Sequence, residues 1–136
     1  MMKYLIIILS LFFTCVIFQD HEILSYEYNA STRGLLMKVK IRKDSTFIFE
    51  KGRATKILTK ESVWESLKQQ TIQLDLGELE SFKAPTEDRF IDKALSAQLK
   101  VISKNHTYYS SEFDHGNPPE ELKSIVKSMT SYLESE

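Results

Sequence analysis

Residues 35–51 read LLMKVKIRKDSTFIFEK, and they are the clearest indication of a β-hairpin in the chain. Two sets of side chains alternate in the first half of this stretch. One set is apolar and consists of Leu35, Met37, Val39 and Ile41, and the other is mostly basic and consists of Leu36, Lys38, Lys40 and Arg42. A period of two buries one face of a strand and exposes the other. Lys43-Asp44 then predicts a tight turn into a strand over residues 45–51, in which Phe47 and Phe49 are expected to continue the apolar face.

Further strands surround this hairpin. Residues 23–28 predict a strand that the turn-forming residues 29–34 end, and residues 54–58 predict another after a short glycine turn. Residues 97–103 and 107–113 predict a second hairpin. The chain is therefore expected to contribute two hairpins to an antiparallel sheet.

Two helices are predicted from apolar spacing. The first begins after Thr59, whose hydroxyl can accept an unpaired amide hydrogen as an N-cap, and runs to about Gln70. The second begins after Asn117 as its cap. Its apolar stripe consists of Leu122, Ile125, Val126, Met129 and Leu133.

The hairpins and helices recur at similar spacing. Residues 41–47 match residues 102–108 as strand, turn and strand, and residues 62–67 match residues 124–129 as helix. Each unit would present one apolar sheet face and one apolar helix stripe. Whether this is a pseudo-repeat or two units of ordinary similarity, the expected class is α+β, an antiparallel β-sheet packed against two helices.

Composition excludes several classes of function. The chain has 18 basic and 19 acidic residues, which is not the positive excess that nucleic-acid binding requires. Cys15 is the single cysteine, so the rest of the chain can form neither a disulfide nor a cysteine metal site. It also has no nucleophile elbow, phosphate-binding glycine loop or paired-histidine motif. A non-enzymatic protein without a cofactor or metal is therefore expected.

The N-terminal segment predicts export. Residues 4–18 read YLIIILSLFFTCVIF, an uncharged run that follows Lys3 and is typical of a signal peptide or membrane anchor. Signal peptidase needs small residues before its cleavage site, and this segment has bulky ones there. Three fates of the segment therefore remain open: cleavage and release, lipidation at Cys15, or retention as an anchor. A cytosolic apolar helix is the remaining alternative. We expect residues 1–19 to be this signal or anchor, and residues 20–136 to be one periplasmic or envelope domain tethered to the membrane.

The most specific string is FDHGNPPEE, residues 113–121. Asp114 and His115 stand beside a glycine turn at the mouth of a helix, where a carboxylate or phosphate can dock with His115 as proton donor or metal ligand. A plain cap and turn explains the same letters. With Glu87 and Asp88, these residues could also form a divalent-metal site.

Two further loops carry candidate residues. The charged segment 81–94 is expected to be a long loop and a candidate lid, in which Arg89 pairs with Asp114 or Asp92. Arg33 belongs either to an anion clamp or to a plain turn that pairs it across the sheet. Lys38, Lys40 and Arg42 are expected to form a basic face, which Lys51, Arg53 and Lys56 would extend. This face would lie against anionic lipid head groups or simply face solvent.

The strings STRG at residues 31–34, KAPTEDRF at 83–90 and FDHGNPP at 113–119 resemble those of small exported proteins of unknown function from Bacteroidota-type bacteria, a lipoprotein-like family. The resemblance covers about residues 23–130. It implies an envelope protein and brings no activity or catalytic residue with it.

These observations favour a membrane-tethered domain that binds an unknown ligand or protein partner without catalysis. Its expected binding surface is made by the loops around Arg33, Arg89, Asp114 and His115. The alternatives are a small metal-assisted hydrolase that uses Asp114 and His115, and a structural interaction module that works through a sheet edge or the basic face.

Overall fold

The computed structural model describes residues 21–133. They form one antiparallel sheet of seven strands in the order β4-β3-β2-β1-β5-β6, and β7 pairs with β5 beside this path. The strands are β1 (Ile23–Thr32), β2 (Leu35–Arg42), β3 (Ser45–Glu50), β4 (Arg53–Leu58), β5 (Ser96–Ser103), β6 (Thr107–Tyr109) and β7 (Phe113–Asp114). With α1 (Glu61–Ile72) and α2 (Lys123–Thr130), the predicted α+β class is confirmed.

The two helices cover one face of the sheet, and the core lies between the layers. Central strands supply its sheet side: Tyr26, Tyr28, Ala30, Met37, Val39, Ile41, Ala97, Leu99 and Val101. The helices and loops supply the other side: Trp64, Leu67, Leu76, Leu79, Phe113, Leu122, Ile125, Val126, Met129 and Leu133. Every apolar residue predicted for the stripe of the second helix is therefore buried.

The opposite face of the sheet, called the outer face below, carries polar and aromatic side chains. Directly opposed residues share a face, and Lys40 lies between Glu27 on β1 and Phe47 on β3. The expectation that Phe47 and Phe49 continue the apolar core face is wrong. The register pairs Val39 with Ile48, so Ile48 continues the core face and Phe47 lies on the outer face, 37% exposed.

The first strand is longer than predicted. β1 continues to Thr32, because Ala30 is fully buried between Met37 and Ala97 on the neighbouring strands. Pairing on both sides outweighs the weak strand preference of residues 29–31. The turn is confined to Arg33 and Gly34, and Gly34 has the positive φ of 80° that only glycine adopts easily.

Neither predicted helix cap is used as a cap. Lys60 precedes α1 without a side-chain cap, since the hydroxyl of Thr59 instead bonds that of Thr46 at 2.8 Å. Asn117 donates to Thr86, and a short 3₁₀ helix, Glu120–Leu122, leads into α2. In both places the polar side chain joins distant segments rather than closing its own helix.

The long segment between α1 and β5 contains two 3₁₀ helices, Leu76–Ser81 and Asp88–Ile91. Both matched hairpins are present, and their turns have Ile41 opposite Thr46 and Ile102 opposite Thr107. The units then differ, because the first continues into β4 and the second returns to β5 through β7.

The predicted leader, residues 1–19 with Cys15, lies outside the described residues. Within residues 21–133, none of the helices combines the length and apolar character that a membrane span needs.

Candidate functional site

Three of the strings singled out in the sequence meet at one end of the sheet. Ser31 at the end of β1 pairs with Ser96, and Ser96 pairs with Asp114 on β7. This row lies next to the turn that carries Arg33, and the 3₁₀ helix Asp88–Ile91 packs against β7. We call this region the loop end of the sheet.

Asp114 is the centre of the loop end and is only 2% exposed. Its Oδ2 accepts hydrogen bonds from the hydroxyl of Thr86 at 2.5 Å and the backbone N–H of Asp88 at 2.8 Å. Its Oδ1 accepts from the backbone N–H of Arg89 at 3.0 Å and from Nη1 of the same residue at 3.1 Å. The carboxylate thus ties the segment after Thr86 to β7, and both of its oxygens are occupied.

These donors determine the charge state of Asp114. Burial alone would raise the pKa of its carboxyl group, since desolvation disfavours the charged form. The hydrogen bonds from Thr86, from the backbone of Arg89 and Asp88, and from the Arg89 side chain outweigh burial and lower this pKa to about 2. Asp114 is therefore ionised at neutral pH and cannot act there as a general acid.

Arg89 is held on three sides. Its Nη1 also donates to the carbonyl of Thr86 at 2.8 Å, and its guanidinium lies 4.3 Å from the centre of the Phe90 ring. The guanidinium thus links Arg89 to Thr86 within the same segment and also pairs with Asp114. The pairing of Arg89 with Asp114 that the sequence predicted is confirmed. Its role in this geometry is to position the loop.

Asn117 extends the network toward α2. Its side-chain amide donates to the Thr86 hydroxyl at 2.9 Å, and its backbone N–H donates to the Asp114 carbonyl at 2.9 Å. The turn of residues 115–117 is consequently linked to Asp114 twice, directly through the backbone of Asn117 and indirectly through Thr86. Gly116 within this turn has a positive φ of 87°.

His115 points to the other side of this turn, toward the core. Its Nδ1 lies 2.7 Å from the hydroxyl of Tyr28, and the two rings are 5.9 Å apart. Burial raises the pKa of Tyr28 well above its usual range, so its hydroxyl stays protonated and can donate to Nδ1. No local sequence pattern indicates this pair, because Tyr28 has the pattern of an ordinary core aromatic residue.

A cleft of about 290 Å³ opens beside His115, between its turn and α2. Its polar wall is formed by His115, Lys123, Lys127 and Thr130, and its apolar part by Pro118 and Val126. Lys123 pairs with Glu120 one turn earlier, whereas Lys127 is exposed and pairs with no acidic residue among residues 21–133. The cleft is therefore basic on one side and apolar on the other.

The structure brings three of the four predicted binding residues together and leaves Arg33 apart from them. Arg89 and Asp114 are bonded to each other, and His115 lines the cleft on the next turn. Arg33 is exposed in the β1–β2 turn and makes no ion pair or hydrogen bond with the described residues, so neither the clamp nor the cross-sheet pairing is seen in this part of the chain. Thr86, Lys123 and Lys127 were missed, since they join the site only through the fold.

The metal-assisted alternative has little support in this geometry. Within residues 21–133, no three His, Cys, Asp or Glu side chains are grouped so that they could hold a metal ion. Asp114 already accepts four hydrogen bonds, while the expected partners Glu87 and Asp88 are exposed.

Neither a known protein family, nor a curated protein, nor a solved structure matches this chain.

Proposed function

We propose that this protein is a membrane-tethered envelope domain that binds a small organic anion, a carboxylate or phosphate compound, without catalysing a reaction. The observation that carries the proposal is the cleft lined by His115, Lys123 and Lys127 against an apolar wall. Such a combination suits a ligand with one charged group and a hydrocarbon part.

The Asp114 network supports this proposal by fixing the cleft wall. Asn117 and His115 both line the cleft, and both belong to the turn that Asp114 and Thr86 hold. A preformed wall lowers the ordering cost of binding. The charge of Asp114 therefore holds the loop end of the sheet in place, and the lysines of the cleft meet the charge of the ligand.

The tether is supported by the uncharged run of residues 4–18, which ends shortly before β1 begins at Ile23. An envelope location would expose the cleft to small anions outside the cytoplasm.

Butyrate, which has one carboxylate and a hydrocarbon part, and inorganic phosphate, which has the charge alone, are the probes that test this binding. We expect either probe, added at constant pH to the full chain in detergent, to shift the imidazole proton resonances of His115 in a saturable manner. His21 and His106 serve as internal controls, since neither lines the cleft. Shifts that are absent, or that occur equally at all three histidines without saturation, would contradict the proposal.

Lys127→Gln should weaken binding of these probes about tenfold, because one charge-assisted hydrogen bond is lost. The matched control is Lys68→Gln, an exposed lysine on α1 that lies outside the cleft. Equal affinities of the two variants would show that the cleft is not the binding site.

A further inference from the structure

The outer face carries a continuous row of charged and aromatic side chains. The strand register aligns Lys56, Phe47, Lys40, Glu27, Lys100 and Tyr109 from β4 across to β6. The next row contains Phe49, Lys38 and Asn29. The helices cover the other face, so these rows face away from the core in the described part of the chain, although Glu27 is buried among its neighbours.

The one acidic side chain within the row is already neutralised. Glu27 is 7% exposed and lies 2.6 Å from Nζ of Lys40 and 3.9 Å from Nζ of Lys100. Burial alone would raise the pKa of Glu27, but the hydrogen bond and charge of Lys40, with the charges of Lys100 and Lys38, lower it. The charge left at the surface is therefore positive.

The remaining cations of the outer face are associated with rings rather than acids. Nζ of Lys56 lies 5.1 Å and Cζ of Arg42 5.9 Å from the centre of the Phe47 ring. Lys38, Lys56 and Arg42 make no ion pair with the residues that the structure describes. Lys38 and Lys56 flank a shallow depression of about 270 Å³ over Phe47 and Phe49.

Cations beside half-exposed aromatic rings suit the interface of an anionic bilayer. Basic side chains are attracted to anionic head groups, and amphipathic rings are favoured at the level of the head groups. We propose that the outer face lies against the head groups of an anionic phospholipid bilayer. This inference rests on the tether proposed above and is independent of the anion cleft.

The position of the tether argues for a bilayer rather than a soluble polyanion. The uncharged run ends at residue 18 and β1 begins at Ile23, so only a few residues join them, a span on the order of 15 Å. β1 lies in the middle of the sheet, with strands on both sides. A domain joined this closely to the membrane, through the first residue of an inner strand, keeps its outer face near the bilayer surface.

Lysine methylation of the full chain tests this placement. The chain is reconstituted in phosphatidylcholine vesicles with and without phosphatidylglycerol, and the rate at each lysine is read by mass spectrometry. We expect Lys38 and Lys56 to react roughly fivefold more slowly when the anionic lipid is present. Lys60 and Lys68, exposed on or beside α1, should react at the same rate in both.

A pair of variants separates charge attraction from simple crowding. In Lys38→Gln/Lys56→Gln, the protection of Lys100 by anionic lipid should be lost, whereas Lys60→Gln/Lys68→Gln should retain it. Both variants change only exposed side chains, and circular dichroism verifies their fold.

Three outcomes would overturn the inference. Equal rates in both vesicle types would show that the face does not meet anionic lipid. Protection of Lys68 instead of Lys56 would place the helical layer on the membrane. Protection by soluble dextran sulfate in neutral vesicles, but not by phosphatidylglycerol, would assign the face to a polyanion. Recovery of the chain free of vesicles would refute the tether itself, and the inference that rests on it would fall with it.

Discussion

Replacing Asp114 with Asn is expected to lower the free energy of unfolding by about 3–5 kcal/mol. The substitution keeps the shape but removes the charge that Arg89 pairs with at 3.1 Å. It also turns an amide donor toward groups that are themselves donors, including the N–H groups of Asp88 and Arg89. Urea unfolding followed by circular dichroism measures the loss.

Asp92→Asn is the matched control for this substitution. Asp92 is an exposed acid in the same segment, and its left-handed backbone, with a φ of 57°, is one that Asn tolerates. A change within about 0.5 kcal/mol is expected there. If Asp114→Asn cost no more than Asp92→Asn, Asp114 would not be the structural centre of the loop end.

Leu67→Ala should lower the free energy of unfolding by about 2–5 kcal/mol. Leu67 is fully buried on α1, and the smaller side chain would leave a cavity between the helix and the sheet. Alanine is the best helix former, so the helix itself would not be weakened. The expected loss therefore measures the packing of the two layers.

The adjacent Lys68→Ala provides the control, because Lys68 is exposed and its pairing with Glu65 at 3.6 Å contributes little. The same urea titration should show a change below about 0.5 kcal/mol. Comparable losses for the two alanine variants would mean that α1 does not bury Leu67 against the sheet.

The alternation of apolar residues predicted that a sheet packs against helices, but it did not always predict which side of a strand faces the core. β2 alternates clearly, and its apolar set is the buried one. In β3, however, Phe47 and Phe49 alternate with the equally apolar Ile48, so composition cannot choose between the faces. The register of the β2–β3 hairpin determines which face each residue occupies, because it places Phe47 opposite Lys40 on the outer face.

The candidate site was predicted only in part, for a similar reason. The pairing of Arg89 with Asp114 follows from opposite charges in a loop and at a strand end. The bond between Tyr28 and His115 joins residues 87 positions apart, and nothing in either local pattern indicates it. In the sequence, Lys123 and Lys127 have the pattern of the solvent-exposed side of a helix. Only the fold shows that the turn of residues 115–117 lies beside them.

The depressed pKa of Asp114 also fixes the sign of its pH dependence. Its folded pKa of about 2 lies below the ordinary aspartate value of about 3.9. The unfolded chain therefore takes up the proton first as the pH falls. The stability that Asp114 contributes is complete above the ordinary value and is lost as the pH falls toward the folded value.

The wall of the proposed binding cleft is held by an ionised Asp114. Its side-chain carboxyl carbon resonance, followed by nuclear magnetic resonance in the folded protein as the pH is lowered, reports this directly. We predict a titration midpoint of about 2. A midpoint near the ordinary value of about 3.9 would show that the four hydrogen bonds do not hold the carboxylate and would contradict the account.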